Sequence, residues 1–254
     1  MKLKNGKDIF VEVAGEGPAI VFVHGLGGTT NFYQPQAAAL AKRHRVVRFD
    51  LPGAGRSPLS GPSSIESFAE DIQAVMEHFE LSSASIVGHS MSTITVQYLA
   101  ANYPDKVDRI VLLGPVREQA PAAKEATRQR AATVREQGMI AVADTIVASA
   151  TSEETRRQRA AVAAFVRELL MGQDPEGYAS HCEALANATA VDLAKIEAPV
   201  LLLTGTDDKV GAPATAEAMF KELPNASYEL IPGVGHWTAI EAAPRVTAAL
   251  GEFL

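Results

Sequence analysis

The stretch ASIVGHSMSTITVQYLA, Ala84 to Ala100, decides the fold of this chain. Its first residues form a short apolar run typical of a buried strand, and its last residues follow a helical pattern. Ser90 lies at the junction, with the small residues Gly88 and Ser92 two positions away on either side. A strand–turn–helix of this kind exposes a nucleophilic serine in the pattern Gly-x-Ser-x-Gly. The stretch predicts either a nucleophilic Ser90 or a serine in an ordinary tight turn.

Short apolar runs rich in Val, Ile and Leu recur along the chain and end in glycine or a polar residue. They are AIVFVHG, HRVVRFD, ASIVGH, RIVLLG and PVLLLTG. Such runs suit parallel strands that are buried on both faces. Helical stretches lie between them, so we expect an α/β fold with a mostly parallel, doubly wound sheet. IFVEVAG alternates apolar and polar residues like an edge strand, and SYELIPG is expected to be the last strand.

The clearest helical stretch is SSIESFAEDIQAVMEHFEL, which begins at Ser63. Its apolar residues fall on one helical face. Ser63 and Glu66 have the spacing of a capping box, which predicts the start of this helix.

One region breaks the alternation of strands and helices. From Pro115 to about Ala198 no strand is predicted, and the composition shifts to Ala, Arg, Glu and Gln with helical periodicity. We therefore expect a helical insert over residues 115–198, carried on a core domain formed by residues 1–114 and 199–254. The insert is too amphipathic to be a linker.

Composition and charge indicate which kinds of binding partner and which cellular compartment to expect. The net charge is −7, which argues against nucleic acid or an anionic membrane as the main partner. The N-terminal stretch MKLKNGKDIF has no apolar core like that of a signal peptide, and no apolar run approaches the ~20 residues of a membrane span. Cys182 is the only cysteine, so an internal disulfide is impossible. A cytoplasmic protein is expected.

A serine nucleophile needs a base, an acid that orients the base, and donors for the oxyanion. Asp207 and Asp208 follow the predicted strand PVLLLTG, and His236 lies in a glycine-rich loop after the last predicted strand. These residues follow Ser90 in the chain order Ser, Asp, His. The backbone N–H of Met91, next to the nucleophile, is one expected oxyanion donor. The upstream loop VHGLGGTT offers a second.

Four motifs together resemble the α/β-hydrolase fold superfamily over essentially the whole chain. They are His24–Gly28 (HGLGG), Asp50–Ser57 (DLPGAGRS), Gly88–Ser92 (GHSMS) and Gly235–His236 (GH). The resemblance implies that Asp208 is the acid, that Leu26 supplies the second oxyanion N–H, and that the insert is a cap over the site. Ser92 replaces the last glycine of the usual pattern without removing a catalytic group.

The insert also suggests a narrower resemblance. Its segments RAATVREQGM and DPEGYASHCEAL look most like those of 3-oxoadipate enol-lactonases and related carboxylesterases. The arginines from Arg128 to Arg159 are most simply a solvated face, although an enol-lactonase would require one of them to meet a substrate carboxylate.

Several further residues have both a structural and a functional interpretation. His24 and His89 are expected to be structural, and Arg56 and Ser57 to hold their loop. His181, in the insert, and Trp237, next to His236, are candidates to line a substrate pocket, although packing roles are an alternative.

The residues favour a serine hydrolase that cleaves a small carboxylic ester or lactone through an acyl-enzyme, with no cofactor and no metal. The alternatives are a carbon–carbon bond hydrolase, a cofactor-free perhydrolase, and a non-catalytic ligand receptor that keeps the fold. The side chains that line the pocket, and with them the choice of substrate, depend on how the insert packs on the core domain.

Overall fold

The computed structural model describes residues 1–254 and contains one seven-stranded sheet. Its strands are β1 Val11–Ala14, β2 Ala19–Val23, β3 Arg45–Phe49, β4 Ala84–His89, β5 Val107–Leu113, β6 Val200–Gly205 and β7 Ala226–Ile231. The strand order is β1-β3-β2-β4-β5-β6-β7, and only β1 runs antiparallel to its neighbour. The predicted mostly parallel sheet with an edge strand at the N-terminus is confirmed.

Both faces of the sheet are covered, which explains why its inner strands are continuously apolar. Along β2, Val21 and Val23 belong to one hydrophobic cluster, whereas Ile20 and Phe22 belong to another on the opposite face. The two clusters contain 35 and 33 buried residues, so the two sides of the sheet bury cores of similar size.

Eleven α-helices accompany the sheet. They are α1 Gln34–Leu40, α2 Ile65–His78, α3 Met91–Asn102, α4 Pro121–Gln137, α5 Ile140–Ala150, α6 Glu153–Gln158, α7 Ala160–Met171, α8 Pro175–Asn187, α9 Pro213–Glu222, α10 Thr238–Glu241 and α11 Ala243–Phe253. Between β5 and β6 there is no strand, only helices α4 to α8 and a short 3-10 helix at Leu193–Lys195. We call α4 to α8 the helical cap. None of the helices has the length and apolar character needed to cross a bilayer.

Helix α2 begins one residue later than the sequence spacing indicated. The reciprocal capping box is formed by Ser64 and Ser67: each hydroxyl accepts from the backbone N–H of the other, at 3.0 and 2.9 Å. Ser63 instead contacts the cap, because its N–H and its hydroxyl both lie within hydrogen-bond distance of Ser180 Oγ in α8. The predicted Ser63–Glu66 box was therefore wrong, since a tertiary contact holds Ser63.

Candidate active site

Ser90 sits in a strained turn between β4 and α3. Its φ is 53° and its ψ is −123°, and Glu80 is the only other non-glycine residue with positive φ. Such conformations persist only where the surrounding structure holds them, and they cluster at functional sites. Here the Ser90 N–H donates to the carbonyl of Leu113 in the neighbouring strand, at 3.0 Å. The turn is a strained strand-to-helix elbow and not an ordinary one.

His236 links Ser90 to Asp208. Its Nε2 lies 2.7 Å from Ser90 Oγ, and its Nδ1 lies 2.9 Å from Asp208 Oδ2. All three residues are buried. A neutral ring with its proton on Nδ1 donates to the carboxylate and leaves Nε2 free to accept the serine proton. This arrangement fits that of a nucleophile, a base and an orienting acid.

The two adjacent aspartates have different environments. Asp208 Oδ1 accepts hydrogen bonds from the N–H groups of Val210 and Gly211, each at 2.8 Å, while Oδ2 faces His236. Burial acts to raise the pKa of Asp208, but His236 and these N–H donors outweigh it and hold the pKa below its ordinary value. Asp207 is exposed and accepts only from the hydroxyl of Thr206. Of the two aspartates, only Asp208 is hydrogen-bonded to His236.

The loop after β2 runs directly beside the nucleophile. A Cβ placed on Gly25 would lie 2.8 Å from the Cβ of Ser90, so a side chain there would displace the loop. Neither the Leu26 nor the Met91 N–H has a hydrogen-bond partner within the chain. Two free N–H donors near a serine at a helix start are the groups that an oxyanion requires.

Two buried histidines brace this region. His24 Nε2 accepts from the N–H of Leu51 at 3.0 Å, and its Nδ1 donates to the carbonyl of Gly25 at 2.9 Å. His89 Nε2 donates to the carbonyl of His236 at 2.9 Å. Burial lowers the pKa of both rings. For His89 the pKa falls to about 3, because the neighbouring His236 adds to the effect of burial. Both rings are therefore neutral donors at pH 7.

The two side chains predicted to line the pocket lie elsewhere. His181 donates from Nε2 to the carbonyl of Pro52 at 2.7 Å and packs edge-on against the ring of Phe68. Trp237 packs against the rings of Phe32 and His89. Neither lines the cavity at Ser90, because His181 on α8 faces the loop after β3 and Trp237, just before α10, packs into the core.

A cavity of about 450 Å³ opens at Ser90 between the sheet and the cap. This volume falls within the range of about 300–1,000 Å³ typical of small-molecule sites. Its wall is formed by the segment after β5, by α4 and α8 of the cap, and by the loop after Asp208. The lining includes Val116, Arg117, Ala123, Thr127, Arg130, Leu185 and Val210.

Two charged residues near the site were not singled out in the sequence. Arg130 was grouped with a solvated face, yet it lines the cavity. Glu241 is buried beside the His236 loop, where it accepts three backbone hydrogen bonds. The available signal for Glu241 was a single acidic residue inside the apolar stretch HWTAIEAAP. No group of three or more His, Cys, Asp or Glu side chains is arranged to hold a metal ion.

Comparison with known proteins decides the family. The model of the family described as alpha/beta hydrolase fold matches residues 18–161, more than half of the chain. The chain belongs to the α/β-hydrolase fold family. The fold and the hydrogen-bonded Ser90, His236 and Asp208 agree with that assignment.

Several family members are similar over most of their length. The 3-oxoadipate enol-lactonase 2 of Acinetobacter baylyi is 28% identical over 84% of this chain and 80% of its own. The structure of a thermophilic esterase from Thermogutta terrifontis with malate bound is 27% identical, with a TM-score of 0.95 over 100% of this chain and 97% of its own. The enol-lactonase of Burkholderia xenovorans LB400 is 29% identical, with a TM-score of 0.91 over 99% and 97%.

Proposed function

We propose that the protein is a serine hydrolase that cleaves a carboxylic ester or lactone. The observation that carries the proposal is the continuous hydrogen-bonded chain from Ser90 through His236 to Asp208. The similar enol-lactonases and esterase support an ester or lactone as the substrate.

The geometry supports two chemical steps. Ser90 Oγ attacks the carbonyl carbon while its proton passes to His236 Nε2, and Asp208 stabilises the resulting imidazolium. The N–H groups of Met91 and Leu26 stabilise the oxyanion. Collapse of the tetrahedral intermediate transfers the proton from His236 to the leaving alkoxide and forms an acyl-enzyme. In a lactone that alcohol stays joined to the acyl group. Water then attacks, with His236 as base, and releases the acid and free Ser90.

The cavity further supports a substrate that carries a carboxylate. Arg130 lines it, and its buried Nε has no hydrogen-bond partner. The guanidinium carbon of Arg130 lies 6.0 Å from the ring centroid of Tyr178, and the Tyr178 hydroxyl and the Cys182 thiol are the ionisable groups that act on its charge. Burial raises the pKa of both, so neither carries a negative charge at pH 7. By contrast, Arg117 pairs with Glu222.

A half-buried guanidinium without an anion is costly when its buried Nε has no partner, and a carboxylate binds it through paired, charge-assisted hydrogen bonds. Mono-4-nitrophenyl adipate and 4-nitrophenyl hexanoate have the same acyl length but differ in the terminal carboxylate. For Arg130→Gln we expect the ratio of kcat/KM for the adipate to that for the hexanoate to fall at least about tenfold. Arg128→Gln is the control, because Arg128 is exposed and binds Asn187. An unchanged ratio in Arg130→Gln would argue against this substrate class.

Labelling by a fluorophosphonate tests the nucleophile. Ser90 should be labelled. Ser90→Ala should lose the labelling, and its kcat should fall at least about 10³-fold, because triad members act as a unit.

Asp208→Asn should lower kcat by about 10³- to 10⁴-fold, since His236 then loses its orienting acceptor. The exposed Asp207→Asn is the matched control.

The outcomes separate the alternatives. Labelling without hydrolysis of any ester or lactone would favour a carbon–carbon bond hydrolase or perhydrolase. No labelling of the folded protein would favour a receptor.

A further inference from the structure

A buried carboxylate that the proposed reaction does not use lies beside the base. Glu241, at the end of α10, is 1% exposed. Its Oε2 accepts from the N–H groups of Ser152 and Gly235 at 2.9 and 3.1 Å, and its Oε1 accepts from the N–H of Trp237 at 3.0 Å. Removing a carboxylate from water is costly unless its oxygens are bonded, and these three donors satisfy it.

Two of these hydrogen bonds hold the backbone on either side of His236. Gly235 and Trp237 are its two chain neighbours, so Glu241 holds the backbone on both sides of the base. The N–H of His236 itself donates to the carbonyl of Ala150, the last residue of α5, at 2.8 Å. Ser152, the third donor to Glu241, is the N-cap of α6. The cap turn at residues 150–152 is therefore bonded directly to His236 and, through Glu241, to the two neighbours of His236.

We propose that Glu241 and the cap turn at residues 150–152 act together to position His236, so that this part of the cap, which does not line the cavity, belongs to the catalytic apparatus. This inference rests on the proposed function, in which His236 is the base. His236 Nε2 must stay within hydrogen-bond reach of Ser90, and a displacement of about 1 Å can cost about 100-fold in rate. Glu241 is thus a positioning residue that acts through the backbone of its neighbour.

Glu241→Gln tests this role most directly, because it keeps the shape of the side chain and removes one hydrogen-bond acceptor. A glutamine amide has one acceptor oxygen, and its NH2 group would face an N–H donor. Whichever way the amide turns, either the Trp237 N–H or the Ser152 and Gly235 pair loses its acceptor. The control is Glu252→Gln, since Glu252 is exposed on α11.

The expected result is a loss of about 10- to 100-fold in kcat per active site titrated with fluorophosphonate, with KM within about threefold of wild type. The assay is run well below the melting temperature of each variant. A merely structural role would lower the melting temperature and leave kcat per titrated site within twofold, and that result would overturn the proposal.

A spectroscopic readout separates this inference from the proposed function. The downfield proton NMR signal of His236 Nδ1–H, bonded to Asp208, should shift or broaden in Glu241→Gln and stay unchanged in Glu252→Gln. This holds even if the wild-type protein hydrolyses no ester, a result that would refute the proposed function alone. An unchanged signal in Glu241→Gln would overturn the positioning role.

The cap side offers a second variant if Glu241→Gln does not fold. Ser152→Pro removes the N–H that donates to Glu241, and the φ of −68° at Ser152 suits proline. Ser152→Ala keeps this N–H and removes the hydroxyl that caps α6, so it is the control. We expect Ser152→Pro to lower kcat per titrated site at least fivefold relative to Ser152→Ala. Equal values would contradict the role of the cap turn.

Discussion

Ser92 shows how one hydroxyl can connect two parts of the site. The usual elbow has glycine at this position, and the sequence alone suggests that only a small side chain is required. In the structure, the buried Ser92 Oγ donates to the carbonyl of His24 at 2.6 Å. The first turn of α3 is therefore bonded to the loop that carries Leu26, one of the two proposed oxyanion donors. The hydroxyl has a structural partner that residue size alone does not predict.

We predict that Ser92→Ala destabilises the protein by about 1–3 kcal/mol, because the buried carbonyl of His24 loses its donor. Ester kcat should fall by less than tenfold, since the hydroxyl touches no reacting atom. Urea unfolding and ester kinetics measure both effects. Ser82→Ala is the control, because Ser82 is exposed. A folded Ser92→Ala that is as inactive as Ser90→Ala would place the hydroxyl in the chemistry.

At the scale of elements, α8 fixes the cap onto the core. Gly177, in its first turn, lies against the backbone of Gly53, in the loop that follows β3. A Cβ on Gly177 would lie 1.9 Å from the carbonyl oxygen of Gly53, a backbone atom with little freedom to move. One turn further along α8, His181 donates to the carbonyl of Pro52. This close approach of α8 and the loop positions the helix so that its later residue Leu185 lines the cavity.

We predict that Gly177→Ala costs about 1–3 kcal/mol of stability, as overpacking typically does. It should also raise KM for esters, because α8 must move away from the core and Leu185 lines the cavity. Gly251→Ala is the control, since the nearest atom to an added Cβ there is 3.9 Å away. Melting temperatures and KM values for the two variants test this contact. A Gly177→Ala protein of wild-type stability would show that the helix and loop are not closely packed.

At the scale of the whole molecule, burial of neutral histidines makes stability depend on pH. Burial lowers the pKa of His181 to about 4, despite its hydrogen bond to Pro52, and lowers that of His89 to about 3. An unfolded histidine titrates near ~6.5. Between these values the unfolded state binds more protons than the folded state, so stability is complete above pH ~6.5 and is lost as the pH falls.

We predict that His181 alone removes about 3 kcal/mol of unfolding free energy between pH 6.5 and 4, at about 1.4 kcal/mol per pH unit. His181→Gln keeps a donor for Pro52 but cannot titrate, so its stability should fall less steeply with acid. Urea unfolding across this pH range gives both slopes. His78→Gln is the control, because His78 is exposed. Identical slopes for wild type and His181→Gln would contradict the prediction.

Local patterns in the sequence were enough to predict the strands, the helical region between β5 and β6, and the order of the motifs that carry Ser90 and His236. These features depend on hydrophobic periodicity and on turn chemistry, which act over a few residues. Parallel strands place the loops at their carboxyl ends along one edge of the sheet, so the sequence also indicated that Ser90 and His236 would meet there.

Only the tertiary structure decided which side chains face the cavity. Asp207 and Asp208 share one turn, and the N–H groups of Val210 and Gly211 determine that Asp208 turns inward. His181 faces a core loop, whereas Arg130 faces the cavity, because the docking of α8 and α4 onto the core sets the rotation of each helix. A helical pattern identifies an apolar face but not what covers it. Contacts between residues far apart in the chain decide that, which is why the partners of Glu241 could be found only in the folded protein.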